Sequence, residues 1–264
     1  MINRLEEHWI DSLKHFKDEN IVGIFLQGSQ NYGLNTEDSD VDTKLIVAPT
    51  LEEIARNWKP VGTTFIRENG EHIDFKDVRE YIPLFRKQNF NFIEILFTDY
   101  YIVNSIYFPH WKKLINQRER IARMNPNRAL HAMLGVANQK MKAMEHPYES
   151  KLEILNKYGY DPKQLHHLVR MDYFSEDYVS GVPYEECLRP QGSRREYLLD
   201  LKAGKYSLEE ARDIANNALM NVIDRVEHYN SKYPELEDKA MVILLDDVRY
   251  EIIKTAIKEE ILNG

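Results

Sequence analysis

The 264-residue chain holds a single cysteine, Cys187. One thiol excludes an intrachain disulfide framework and a metal centre built from several cysteines, and it accords with a reducing, cytoplasmic location. No apolar run approaches the ~20 residues of a membrane span. The opening "MINRLEEHWIDSLKHF" is charged throughout and lacks the apolar centre of a signal peptide, so no membrane partner is expected. An excess of positive charge is missing too. The formal net charge is -8, which argues against a surface that coats nucleic acid along its whole length. The charge is unevenly spread: -5 over residues 1–117, +3 over 118–205 and -6 over 206–264. Any polyanionic partner should prefer the middle segment. Internal repeats and low-complexity linkers are absent, and the oligomeric state is not legible.

What is present is a 43% hydrophobic composition, enough to bury a core. Leu5, Trp9, Leu13 and Phe16 fall at helical spacing, which predicts a first helix over 3–18. "IVGIFLQGS" reads as a buried strand and "VDTKLIVAP" as a second, ended by Pro49. "TLEEIARNW" reads as a short capped helix. "TTFIRENGEHIDFKD" carries the Asn-Gly signature of a two-residue hairpin turn. "DVREYIPLFRKQ" returns to helical spacing, and "NFIEILFTDYYIV" is strand or helix without a deciding period. Beyond Trp111 glycine is sparse and long amphipathic segments dominate. "SLEEARDIANNALMNVIDRVEHY" opens on a Ser207–Glu210 capping box, and another long helix ends the chain. The expected organisation is a mixed α/β part over 1–110 and a helical domain over 111–264.

The chemistry gathers in "FLQGSQNYGLNTEDSDVDTKLIV", residues 25–47. On a strand alternate residues share a face, so Asp40, Asp42 and Lys44 point one way and Val41, Thr43 and Leu45 the other. Two close carboxylates repel unless a cation joins them, and Mg²⁺ takes one or two protein carboxylates together with substrate phosphate oxygens. Gly28 and Ser29 can present backbone N–H groups and a hydroxyl to an anion. Such a turn ten residues or so before an Asp-x-Asp suits a nucleoside triphosphate with Mg²⁺, or Mn²⁺ in its place, and Lys44 joins Gly28 and Ser29 as a nucleotide contact. The competing reading of "NTEDSD" is a solvated turn. A two-metal site needs a third carboxylate. Asp74 lies between Ile73 and Phe75 in the hairpin's second strand, where aspartate is disfavoured. Asp77, the alternative, sits at an expected helix N-cap.

These residues resemble a family. "GSQNYGLNTEDSDVDTK" resembles the Gly-Ser … Asp-x-Asp signature of the DNA polymerase β-type nucleotidyltransferases. "NFNFIEILFTD" and "KYGYDPKQLHHLVRM" resemble two further segments of a narrower branch, named for an RNA-repair pathway and found beside RNA ligases. The resemblance covers roughly residues 21–230. Gln30 stands where related loops often carry a basic residue, and Leu45 where a glycine often follows. The resemblance implies an α+β fold: a small mixed β-sheet nucleotidyltransferase core with flanking helices, then a helical domain. It implies Asp40, Asp42 and Asp74 as metal ligands and catalytic carboxylates, with Gly28 and Ser29 holding the triphosphate. Lys163, His167 and Arg170 match the third segment and are taken as nucleotide-binding. They fall at i, i+4 and i+7, on one helix face, which meets phosphate or RNA or else forms a polar stripe within the protein. His166, off that stripe, reads as surface.

The expected activity is transfer of a nucleoside monophosphate from an NTP to an acceptor hydroxyl, with an RNA 3′ end as acceptor. Arg118, Arg120, Arg123, Arg128, Arg194 and Arg195 are candidate phosphate contacts. A protein side chain or small molecule as acceptor, a non-catalytic nucleotide-binding module, and a pure interaction protein are the alternatives. The aromatic "YFSEDYVSGVPY" reads either as a partner-facing surface or as a flap.

Overall fold

The computed structural model describes residues 1–37 and 39–263. The chain divides into two compact units, Met1–Met124 with Glu237–Gly264, and Asn125–Leu236. The expected boundary at 110 and this division differ because the final helix belongs to the first unit, and the middle of the chain is an insertion into it.

The first unit contains α1 (Ile2–Ser12), β1 (Ile21–Gln27), α2 (Ser29–Tyr32), β2 (Asp42–Val47), α3 (Leu51–Ala55), β3 (Gly62–Ile66) and β4 (His72–Asp77). There follow α4 (Val78–Arg86), α5 (Phe90–Ile93), β5 (Tyr101–Val103), α6 (Phe108–Asn116) and α7 (Arg118–Ala122). The five strands form one mixed sheet in the order β3-β4-β2-β1-β5. β2 and β4 are parallel, with Lys44 opposite Asp74. The other pairs are antiparallel, with Gln27 opposite Asp42 and Thr64 opposite Asp74.

The two faces of this sheet are chemically different, as period-two alternation requires. One face is apolar: Ile24, Leu26, Leu45, Val47, Ile73 and Phe75 pack with Leu5 and Trp9 of α1. The other holds Phe25, 4.6 Å from Trp111 of α6, and beside it the polar side chains of the candidate site. The first helix stops at Ser12 rather than Asp18. Its buried stripe is Leu5, His8 and Ser12, and the chain then turns so that Phe16 reaches the Phe75 ring edge-on at 5.0 Å.

The hairpin also departs from expectation. Asn69 keeps negative φ, Gly70 takes φ +86°, and Gly70 N–H bonds to Arg67 C=O at 2.9 Å. The turn is therefore longer than two residues, with glycine alone in the left-handed region. "NFIEILFTDYYIV" divides into a short helix, a 3₁₀ turn over Glu94–Leu96 and strand β5. Asp77 caps α4 by accepting from Arg79 N–H at 2.7 Å.

The last helix, α14 (Lys239–Asn263), returns to the first unit and packs on α4 and α6. The second unit holds α8 (Pro126–Met144), α9 (Leu152–Tyr158), α10 (Pro162–Val179), α11 (Tyr184–Leu188), α12 (Gly192–Lys202) and α13 (Leu208–Lys232). Its core joins α8, α10 and α13. Small residues Ala211, Ala215 and Ala218 line the buried side of α13. The segment read as surface or flap is neither: Phe174, Tyr178 and Tyr184 are buried, with ring centroids 5.2–6.4 Å apart. No helix among the described residues is long and apolar enough to cross a membrane.

Candidate active site

β1 ends at Gln27, and Gly28 adopts φ +79°, ψ −154°, a conformation open essentially to glycine alone. This reverses the chain into α2, whose four residues begin with Ser29. The Gly28 N–H points to the carboxylate of Glu94, at 3.3 Å. Glu94 is 2% exposed, so a buried acid sits behind the turn. Sequence reasoning passed over it, although one carboxylate within the apolar "NFIEILF" run was a usable signal. Tyr81, fully buried nearby, has its hydroxyl pKa pushed up by burial first and then by the charges of Glu94 and Asp74.

Asp42 begins β2, and Asp74 lies in the middle of β4. Parallel register places His72 beside Asp42 and Asp74 beside Lys44. Asp42 Oδ1 accepts from the His72 backbone N–H at 3.1 Å and lies 3.2 Å from its Nδ1. Lys44 Nζ donates to Asp74 Oδ2 at 2.7 Å and lies 5.0 Å from the centre of the Phe92 ring. The four side chains make a two-by-two array on one face, with the carboxylates on one diagonal and the nitrogen groups on the other. Lys44 is 4% exposed, so Asp74 has a structural task that the sequence does not disclose. Asp40 is exposed in the loop before β2.

That loop is held from the opposite face of the sheet. Glu71, 5% exposed, accepts from Val41 N–H at 3.3 Å, between Asp40 and Asp42. The same carboxylate binds Arg4, His8 Nε2 at 2.9 Å, Arg67 at 2.8 Å and Asn69 at 3.0 Å. His8 Nδ1 continues to Thr43 Oγ1 at 2.8 Å. Burial alone would raise the Glu71 pKa; the hydrogen bonds from Arg4, His8, Asn69 and Arg67 outweigh it and hold the carboxyl at about 2. Burial also lowers the His8 pKa, against the pull of Glu71. A glutamate just after Asn-Gly reads as a solvated turn residue, and its partners in α1 are more than sixty positions away, so no local signal marks it.

The chain matches the RNA repair pathway DNA polymerase beta family over residues 5–251. The chain belongs to that family. No curated protein matches. Among solved structures it is similar to a nucleotidyltransferase-like protein from Exiguobacterium sibiricum, at 12% identity and a TM-score of 0.31, over 86% of this chain and 75% of that one.

Polymerase β-type nucleotidyltransferases use divalent metals and nucleoside triphosphates. Among the described residues no group of three or more His, Cys, Asp or Glu side chains is arranged to hold an ion. The donor chemistry nevertheless suits Mg²⁺, since Asp42 and Asp74 offer hard oxygens from one face of neighbouring strands. Two positions along a strand and one across place their Cα atoms roughly 8 Å apart, within the joint reach of two carboxylates. Lys44 and His72 supply the balancing nitrogens of the array.

In the second unit of this family member, Lys163 is exposed, His167 partly exposed and Arg170 3% exposed, so the stripe descends into the unit. His166 is not surface. It is 2% exposed, its Nδ1 lies 2.7 Å from Leu198 C=O of α12, and burial pushes its pKa down to about 4. Helix α12 covers the face that an isolated helix would leave to water. Most of the arginines expected to meet RNA are engaged internally. Arg120 pairs with Asp238, Arg123 with Glu119, Arg128 with Glu235, and Arg194 with Glu176 and Asp177.

Proposed function

We propose that this chain is a nucleotidyltransferase that moves a nucleoside monophosphate from an NTP to the 3′ hydroxyl of an RNA. The observation that supports it is the shared sheet face of Asp42 and Asp74, at the end of the sheet where β1 runs into the Gly28 turn. In this reading the turn, Ser29 and Lys44 contact the triphosphate. Asp40, Asp42 and Asp74 hold Mg²⁺, or Mn²⁺, which when bound stabilises negative charge on the phosphates and lowers the acceptor's pKa. The acceptor hydroxyl yields its proton to a carboxylate, assigned to Asp74. Its oxygen bonds to the α-phosphorus, and the bond from that phosphorus to the bridging oxygen breaks to release pyrophosphate.

The array holds the two acids in place: each has a nitrogen partner across the strand pair. Lys44 then has two neighbours to serve, Asp74 and an incoming phosphate oxygen. Incubation with α-labelled NTPs and RNA, protein or no added acceptor tests the proposal. Label should enter RNA and vanish in Asp42→Asn. Label on protein in place of RNA, or label on RNA that persists in Asp42→Asn, would overturn it.

A further inference from the structure

We infer that the outer face of α14 is an interface between two copies of this chain, which pair antiparallel along that helix about a two-fold axis. The inference is independent of the proposed transfer.

A surface helix with one neighbouring layer needs one apolar stripe and turns polar residues to water. α14 has two such stripes. The inner one, Met241, Leu245, Val248, Ile252 and Ala256, is buried, and the helix packs there on α4 and α6. At about 100° per residue, a second stripe lies about 180° round the helix: Ile243, Asp247, Tyr250, Lys254, Ile257 and Ile261. Its alternating steps of four and three residues are those of a seam between paired helices. Ile243, Tyr250 and Ile261 are 61%, 62% and 63% exposed, so its apolar members lie open to water. Helix α13 shows the ordinary case. It has the same 25 residues and the same buried spacing, from Ala211 through Ala215, Ala218 and Val222 to Val226. Its opposite stripe is Asp213, Asn217, Met220, Asp224, Glu227 and Ser231, all exposed and polar except Met220. Helix length and register therefore do not account for the isoleucines and tyrosine on the outside of α14.

The charges select a second copy as the occupant. Asp247 and Lys258 are exposed and stand on the same edge of the outer stripe, each about one turn inside one end of it. They are about 16 Å apart along the helix, too far to pair within one chain. A second α14 laid antiparallel, with the two-fold axis at the level of Ile252, brings each to the other. Ile243 then meets the other copy's Ile261, Lys254 meets its Tyr250 ring, and Asp247 lies beside its Lys258. The symmetry repeats each contact. Residues on the same edge face one another in an antiparallel helix pair, whereas a parallel pair in register would set Asp247 level with Asp247 and Lys258 level with Lys258. Within one chain Lys254 Nζ already lies 5.7 Å from the Tyr250 ring centre, and the second copy's ring adds to that cation–π contact. The seam from Ile243 to Ile261 is about 27 Å long.

Sedimentation velocity of the full-length chain, over about a hundredfold range of concentration, should show a reversible dimer. Ile243→Glu should raise its dissociation constant tenfold or more, because a carboxylate then faces Ile261 at both ends of the seam. Asp213→Lys, at the matching place on α13, should change it less than twofold. Asp247→Lys alone and Lys258→Asp alone should each raise it about fivefold, since each turns two attractive pairs into repulsive ones. The two substitutions together rebuild the pairs with their signs exchanged, and should return the constant to within twofold of the unaltered chain. All these positions are exposed in the single chain, so each variant should keep its far-ultraviolet circular dichroism. A monomer at every concentration would overturn the inference and leave the face to a different protein. A dimer indifferent to Ile243→Glu, or charge substitutions whose losses add in the double variant, would overturn it as well.

Discussion

Glu71 and Asp74 lie three residues apart on one hairpin, and their carboxylates serve opposite layers. Glu71 faces α1, where its pKa of about 2 stands against an ordinary value of 4.5. A depressed folded-state pKa adds stability that is full above about pH 4.5 and is lost as pH falls through about 2, worth about 3 kcal/mol. Glu71→Gln should therefore lose about that much near neutral pH, and the gap to the unaltered protein should close between pH 4.5 and 2. Urea denaturation across that range is the measurement, and a gap independent of pH would show that charge is not the source. On the other face, Asp74→Asn strands the buried Lys44 ammonium and should cost about 3 kcal/mol. Asp42 is 35% exposed with a half-exposed His72 partner, so Asp42→Asn should cost about 1 kcal/mol or less. Equal losses would remove this distinction. That Asp42 and Asp74 belong to one face follows from period two and the hairpin. That Lys44 would sit against Asp74 does not, because alternation says nothing about which strands become neighbours.

Elements whose ends carry their own chemistry were the most legible. The expected Ser207–Glu210 capping box forms, with Ser207 Oγ accepting from Glu210 N–H at 3.3 Å, and the short helix expected after Thr50 is capped by a Thr50–Glu53 box. Ser207→Ala should lower stability by about 1 kcal/mol, read as a lower Tm of the full chain. The Gly28 turn is the element on which the site depends. A Cβ at Gly28 meets nothing within 4 Å, so Gly28→Ala tests backbone conformation without a clash. It should cost about 1–3 kcal/mol and weaken triphosphate binding more than it shifts the melt. Intact binding in a destabilised Gly28→Ala protein would detach the turn from the phosphate. Features set by partners outside the element's own pattern were harder. The stripe of α10 was visible, but the burial of His166 depends on α12, which no periodicity within α10 can locate. The Asn-Gly hairpin was visible as a hairpin, whereas its longer turn depends on Arg67 and Asn69 both reaching back to Glu71.

At the scale of the whole molecule, the helical unit is an insertion whose two connections meet the first unit side by side. Asp238 N–H bonds to Met124 C=O at 2.7 Å, and Arg120 pairs with the Asp238 side chain at 2.7 Å. Closing so short a gap costs little loop entropy. Replacing residues 125–236 by a short Gly-Ser linker should therefore leave a first unit that melts cooperatively and keeps its sheet signal in far-ultraviolet circular dichroism. Deleting α14 instead should unfold that unit. Met241, Leu245, Val248 and Ile252 are each under 5% exposed, and at about 1.5–3 kcal/mol apiece their loss is roughly 6–12 kcal/mol, comparable to the full stability of a domain. The sequence placed a boundary at 110 because the composition turns helical there. Composition cannot show that the last helix folds back onto the first unit: α14 is a long helix like those of the insertion, and its partners, α4 and α6, precede it by more than a hundred residues. If the excised unit fails to melt cooperatively while the α14 deletion survives, the chain divides by composition after all, and the first unit is not a domain interrupted by a second.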